Sequence, residues 1–173
     1  VEADLRQLRV IFAIYHRYDR AVDPTEIHDE IAVRLREELD YDLESRHMLL
    51  YRRMHAKESG VHVPEPVPEL STNRLLTMTW LDGKRLLEAA EAAPEIRNAI
   101  AYNMFRAWYV PFYGYGVIHG DPHLGNYSMR PDSSINLLDF GCIRVFKPSF
   151  VQGVIDLYNS LATGDGALAV QAY

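Results

Sequence analysis

The sequence predicts an α+β domain, mostly helical, with a few short strands. Three observations predict it. Apolar residues recur at three- and four-residue steps through 5–15, 27–43 and 96–112, the period of amphipathic helices. Short runs of strand-forming residues at 75–80, 127–129 and 135–140 are bounded by turn-formers. The stretch 117–141, VIHGDPHLGNYSMRPDSSINLLDFG, sets two carboxylates, Asp121 and Asp139, in apolar surroundings that normally exclude them. Each is followed by residues that turn the backbone: Pro122 and Gly125 after the first, Gly141 after the second.

Taken in order, Leu5, Leu8, Ile11, Phe12 and Tyr15 line one face of a helix of about four turns. Asp23-Pro24-Thr25-Glu26 is a helix start: Asp23 caps, Pro24 suits the first turn and Glu26 completes a capping box. The helix carries Ile27, Ile31, Leu35, Leu39 and Leu43 and is expected to run to about His55. Asp40 and Glu44 share a face of it. Like charges so placed cost a few tenths of a kcal/mol, so either that face is solvated or a cation sits opposite. From spacing alone, Glu37 competes with Glu44 for that cation.

Gly60 to Pro64 closes the helix, and Pro64, Pro66 and Pro68 keep the next stretch extended or irregular. Leu75–Trp80 reads as a strand ended by Leu81-Asp82-Gly83. Pro94-Glu95 opens a helix with Ile96, Ile100, Met104, Trp108 and Phe112 as its core stripe. The apolar run from Ala107 to Ile118 is too short for a membrane span and is interrupted by Pro111, Gly114 and Gly116. Tyr127–Met129 and Ile135–Phe140 form a hairpin across Arg130–Ser134, which brings Asn126 and Asp139 to neighbouring strand ends on one side. Pro148 or Ser149 opens a helix carrying Val151, Ile155 and Leu161, and Gly164-Asp165-Gly166 stops it.

The chemistry lies between His119 and Gly141. An aspartate able to accept a proton, an amide oxygen and a second aspartate suit a magnesium nucleotide. Mg2+ prefers hard oxygen ligands and takes only one or two carboxylates, with phosphate and water completing the shell. His119-Gly-Asp-x-x-x-x-Asn126 followed by Asp139-Phe-Gly is the order of parts in protein kinases. Either string alone is weak, since D-F-G also ends ordinary strands and H-G-D-P also makes plain turns. In this order they point to a kinase-like fold with ATP and Mg2+ as cofactors. Asp121 then orients or deprotonates the acceptor hydroxyl, and Asn126 and Asp139 hold the metal. His119 braces the loop through its ring. His123 either buttresses the loop or carries protons near neutral pH.

HGDPHLGN, from His119 to Asn126, resembles the catalytic loop of the UbiB/AarF family of atypical protein-kinase-like proteins, with Leu124 where the family string usually has Pro. ELDYDLE (from Glu38), VPEP (from Val63), LST (from Leu70), LLTMTWLDG (from Leu75) and EIRN (from Glu95) match the family's pattern and order, so the resemblance covers nearly the whole chain. It implies part of a small lobe in 1–82, with the C helix and last strand, and a mostly helical large lobe in 83–173. The boundary falls at about Leu81 to Lys84. Glu44 is then the C-helix glutamate that pairs with the lysine on the ATP phosphates, and Glu38 and Asp40 match the family's E-x-D element. Backbone groups around Trp80 and Leu81 bond the adenine, and Met78 lines the back of its pocket. The resemblance further implies ATP hydrolysis linked to isoprenoid quinone (ubiquinone) biosynthesis, with isoprenoid lipid precursors and quinone-biosynthesis proteins as partners. The implied location is cytoplasmic, peripheral at the inner membrane, on the matrix side in a eukaryote.

Two rivals stand beside this reading. A small-molecule phosphotransferase of the aminoglycoside or choline kinase type shares H-G-D but lacks the E-L-D-Y segment. A nucleotide- or lipid-binding scaffold would need no phosphoryl transfer. No V-A-x-K strand precedes the Glu44 helix, and no K-x-G-Q or glycine-rich phosphate loop is present; Lys57, Lys84 and Lys147 lie elsewhere. The sequence therefore reads as a piece of a longer enzyme, with little turnover expected of the piece alone.

Composition narrows the classes. At 173 residues the chain can bury a real core, and length alone suggests one domain. A net charge of −6 offers no electrostatic footprint for nucleic acid. The single cysteine, Cys142, excludes an internal disulfide and a Cys-based zinc cluster, and reads as a small buried hydrophobe beside D-F-G. The scattered histidines show no metal-ligand spacing.

Overall fold

The computed structural model describes residues 2–18 and 24–172, and its fold is α+β and mostly helical. Helix α1 (Glu2–Tyr18) packs on α2 (Pro24–Glu37). Leu5 is buried, and buried His28 donates its Nε2–H to the Leu5 carbonyl at 3.0 Å. Ile11 and Tyr15 stay more than half exposed, so only part of the expected stripe packs. Pro24 opens α2; the Asp23 cap lies outside the described residues.

The long helix expected over 24–55 is two helices. α2 ends at Glu37, and α3 (Tyr41–Met54) begins after Asp40, whose carboxylate accepts the Leu43 N–H at 3.0 Å. Aspartate favours that local bond over a helix interior. Asp40 therefore starts the second helix instead of sharing a face of one helix with Glu44. From α3, Met48, Tyr51 and Met54 enter the core.

Four short strands make one sheet: β1 (Val61–His62), β2 (Lys84–Arg85), β4 (Tyr127–Met129) and β5 (Ile135–Leu137), in the order β1-β5-β4-β2. β4 and β5 are the expected hairpin, and β1 joins β5 in parallel. β5 stops three residues short of Phe140 because its partner runs out. Leu138 N–H bonds the Asn126 carbonyl at 2.9 Å, and Asn126 already belongs to the 3-10 turn Leu124–Asn126. β3 (Val117–His119) pairs antiparallel with β6 (Ile143–Val145) in a second sheet.

Leu75–Trp80 is extended but is not a continuous strand. It is held by Val67 N–H to Thr77 O at 2.8 Å and Thr79 N–H to Glu65 O at 2.9 Å, with Pro66 facing Met78. The ladder stays incomplete because its other two N–H groups turn to hydroxyls: Glu65 N–H donates to Thr79 Oγ1 at 2.9 Å and Thr77 N–H to Ser71 Oγ at 3.0 Å.

Helix α4 (Pro94–Tyr115) carries the expected stripe and runs through Pro111 and Gly114. Pro111 is buried inside it, and Gly116 at φ 68° ends it. The left-handed angle favours glycine, and a Cβ there would meet the Phe146 carbonyl at 2.9 Å. Ile100, Ala107 and Phe112 are buried, whereas Ile96 at the first turn is not. α5 (Pro148–Thr163) packs on α6 (Gly166–Ala172), with Val151 buried and Leu161 exposed.

One core holds the domain together. Met48 and Tyr51 of α3, Ile100 and Ala107 of α4, Ile135 and Leu137 of β5, and Phe140 form a single buried cluster. Segments on both sides of Leu81–Lys84 thus share a core and, through β1 and β2, a sheet. Among the described residues no helix is long and apolar enough to cross a membrane.

His55 couples this core to pH. Its ring is 4% exposed and both nitrogens lack a hydrogen-bond partner. Burial drives its pKa down to about 4; the Glu58 carboxylate and the Ala107 carbonyl pull it partly back. Pro111 leaves that carbonyl without its usual helical donor, but its pull on His55 falls short of a geometric hydrogen bond. An unfolded histidine titrates near 6.5, so between about 6.5 and 4 the unfolded chain binds more protons than the folded one. Stability therefore falls as pH falls through that window, by up to about 3 kcal/mol from this group. Urea unfolding midpoints between pH 7 and pH 4 should show the loss, and His55→Leu should flatten it. An unchanged slope in the variant would contradict the assignment.

Candidate active site

Asp121 is built into a turn. It follows β3 and Gly120, and its two carboxylate oxygens are engaged separately. Oδ1 accepts the His123 N–H at 3.2 Å and Oδ2 accepts Asn126 Nδ2 at 2.7 Å. The carboxylate is thus oriented before any ligand arrives. Because the Asn126 amide nitrogen serves Asp121, its Oδ1 is left without a hydrogen bond among the described residues. His123 Nδ1 accepts the Gly125 N–H at 3.1 Å, the buttressing arrangement.

His119 is the brace between the two motifs. It is 1% exposed; Nε2–H donates to the Asp139 carbonyl at 2.6 Å, and Nδ1 accepts the Asp121 N–H at 3.3 Å. One ring thereby fixes the backbone of both aspartates. Its faces pack against Tyr51, Trp108, Tyr127 and Phe140.

Asp139 turns on itself, with Oδ1 accepting the Gly141 N–H at 2.9 Å. The other carboxylate oxygen has no hydrogen bond among the described residues. Phe140, fully buried, is gripped from α3: its N–H donates to Glu44 Oε1 at 3.3 Å and its carbonyl accepts His47 Nδ1–H at 3.1 Å. Burial pushes the Glu44 carboxyl above the usual range, and the charge of Asp139 adds to this; the Phe140 N–H pulls partly back.

Of these groups, Glu44, Asp121 and Asp139 open onto one cleft of about 860 Å³, and Asn126 stands behind Asp121 without lining it. Glu38, Glu44, Asp121 and Asp139 line it with Met78 and Cys142. The volume is that of a cofactor pocket. Four carboxylates face a single basic side chain, Arg74, so the cleft calls for a cation. Among the described residues, no three His, Cys, Asp or Glu side chains form a metal cage, and Glu44 has no ion pair.

The ABC1 atypical kinase-like domain matches the chain over residues 1–173. The chain belongs to the ABC1 family. Over 138 residues it is 30% identical to an uncharacterized aarF domain-containing protein kinase, chloroplastic, of Arabidopsis thaliana, covering 79% of this chain and 19% of the relative. It is 29% identical over 136 residues to the atypical kinase coq-8, mitochondrial, of Caenorhabditis elegans, covering 76% and 18%. The Rv3197–erythromycin complex from Mycobacterium tuberculosis superimposes with a TM-score of 0.79 at 22% identity, over 99% of this chain and 44% of that one, which shows a shared fold. The chain spans about a fifth of the length of the two curated relatives.

Within this ABC1 domain the sequence-derived site residues divide. Glu44, Met78, Asp121 and Asp139 share the cleft, and Asn126 is bonded to Asp121. Trp80 and Leu81 do not line it. The Trp80 indole is 85% exposed and donates to Asp82 Oδ1 at 2.8 Å, while Leu81 lines a separate recess with Arg52 and His55. Their peptide groups make no hydrogen bond among the described residues. Asp82 is tied down instead: its carbonyl accepts Asn136 Nδ2 at 3.0 Å. Cys142 is half-buried on the cleft wall, not a buried hydrophobe.

Glu38, matched in the sequence to a family element, lies on the cleft wall. Two participants escaped the sequence reading, Asn136 in its strand and His47 on α3. His47 lies three residues after Glu44, and that spacing on a helix would have shown a shared face.

Replacing His119 with Phe keeps the ring volume and removes both bonds. The expected loss is about 1–3 kcal/mol of stability, since the Asp139 carbonyl is left unsatisfied. Urea denaturation measures it, and an unchanged midpoint would contradict the bracing role.

Proposed function

We propose that the chain forms the catalytic-loop and D-F-G part of a Mg2+–ATP site in an atypical kinase or ATPase. The observation that carries this reading is the donor set: Asp121, held by its own loop, beside Asn126 with a free amide oxygen and Asp139 with a free carboxylate oxygen. Two hard oxygen donors with no third acidic ligand fit a cation that takes the rest of its shell from phosphate and water.

Asn126 and Asp139 are the residues that would hold the metal. Bound Mg2+ would neutralise charge on the phosphates during transfer. Asp121 orients the attacking hydroxyl or water and takes up its proton; the His123 and Asn126 bonds keep its carboxylate in one setting. Glu44 is the counter-ion for the cation that steadies the phosphates. Met78 on the cleft wall is placed to meet the adenine; Trp80 and Leu81, which lie off that wall, would reach it only through their backbone. Because no cation pairs with Glu44 among the described residues, nucleotide binding without fast turnover is the behaviour expected of these 173 residues.

Relatives named COQ8 atypical kinases support extending the reading for the whole protein to isoprenoid quinone biosynthesis, with isoprenoid precursors and quinone-biosynthesis proteins as partners. Membership of the ABC1 family favours this over a phosphotransferase of the aminoglycoside or choline kinase type.

Equilibrium dialysis with ATP, in Mg2+ and in EDTA, tests the site. ATP should bind at least tenfold tighter with Mg2+, and Asp139→Ala should abolish that difference. MgATP binding that survives Asp139→Ala unchanged would contradict the proposal and favour a metal-independent scaffold.

A further inference from the structure

The grip on Phe140 comes from two side chains of different chemistry. Glu44 and His47 are three residues apart on α3, so both reach the same face. Glu44 takes the Phe140 N–H at 3.3 Å, a long bond, and His47 gives its Nδ1–H to the Phe140 carbonyl at 3.1 Å. Phe140 is fully buried, so neither peptide group can turn to water. On the preceding residue His119 holds the Asp139 carbonyl at 2.6 Å. The backbone is therefore pinned at Asp139 and Phe140, and the Asp139 side chain closes the turn onto the Gly141 N–H at 2.9 Å.

Glu44 is a poor sole anchor for this turn. It is a carboxylate facing a cleft that also contains Asp139, and the two repel. Any cation that paired with Glu44 would compete with Phe140 for the same oxygens. His47 has a single task here, is half-buried away from the cleft wall, and donates to a carbonyl, which no cation in the cleft can displace.

We propose that His47 is a positioning residue: its bond to the Phe140 carbonyl sets the orientation of the Asp139-Phe140-Gly141 turn and so the aim of the Asp139 carboxylate at a cation. This deepens the Mg2+–ATP reading and rests on it for its consequence. The clamp itself is testable without nucleotide.

Asparagine carries an N–H near the place of histidine Nδ1, so His47→Asn keeps the donor, while His47→Leu removes it. The first measurement is amide hydrogen exchange of the peptide covering 138–142 in the ligand-free chain. His47→Leu should raise its exchange at least tenfold, and His47→Asn should stay within about threefold of the original chain. The second is Mg2+ titration at fixed ATP. His47→Leu should weaken apparent Mg2+ affinity by about tenfold while ATP binding in EDTA stays within about twofold, and His47→Asn should restore the affinity. Urea midpoints confirm that each variant is folded.

Unchanged exchange in His47→Leu overturns the clamp whatever the nucleotide does. Raised exchange with unchanged Mg2+ affinity overturns the positioning role. So does an equal loss of ATP binding with and without Mg2+. If the original chain shows no Mg2+-dependent ATP binding, the site reading fails along with the positioning role, while the exchange arm still decides the clamp.

Discussion

A fully buried phenylalanine whose peptide groups must be satisfied away from water is the constraint behind the whole arrangement. Phe140 sits in the middle of the core, packed on Tyr51 and His119. An unpaired buried N–H or C=O costs about 1–3 kcal/mol, so this residue can be buried only where α3 presents both a donor and an acceptor. Glu44 and His47 supply them. The same requirement draws α3 against the D-F-G turn, and His119 draws the catalytic loop against the other side. Packing and site geometry are thus two results of one set of hydrogen bonds.

Electrostatics follows from that geometry. Burial raises the Glu44 pKa, and bringing α3 against D-F-G adds the like charge of Asp139. A divalent cation and the basic groups that accompany phosphates would offset that charge. The protein holds Asp121 and Asn126 to one another in advance, so less reorganisation is left for the moment a ligand arrives.

Much of this could be read from residue order. The turn-forming neighbours of Asp121 and Asp139 marked the site, and the hairpin over 127–137 followed from its strand formers and the Arg130–Ser134 turn. The motif resemblance named the family that the whole-chain match shows. What could not be read depended on competition between local and tertiary terms. Periodicity carried a helix straight through Asp40 because it does not weigh a side chain that caps better than it packs. It made a strand of Leu75–Trp80 without weighing the hydroxyls of Thr79 and Ser71, which take the N–H groups of Glu65 and Thr77 out of the ladder. For His47, helix spacing could show the face shared with Glu44 but not the partner, a backbone carbonyl 93 residues away.

The most direct test of the central claim is to see the cation. A crystal of the chain grown with Mn2+ and a non-hydrolysable ATP analogue gives an anomalous signal for the metal alone. The account predicts one peak within coordination distance of Asn126 Oδ1 and an Asp139 carboxylate oxygen, with analogue phosphates completing the shell. Ordered nucleotide with the metal elsewhere, or with no metal between these two side chains, would contradict it.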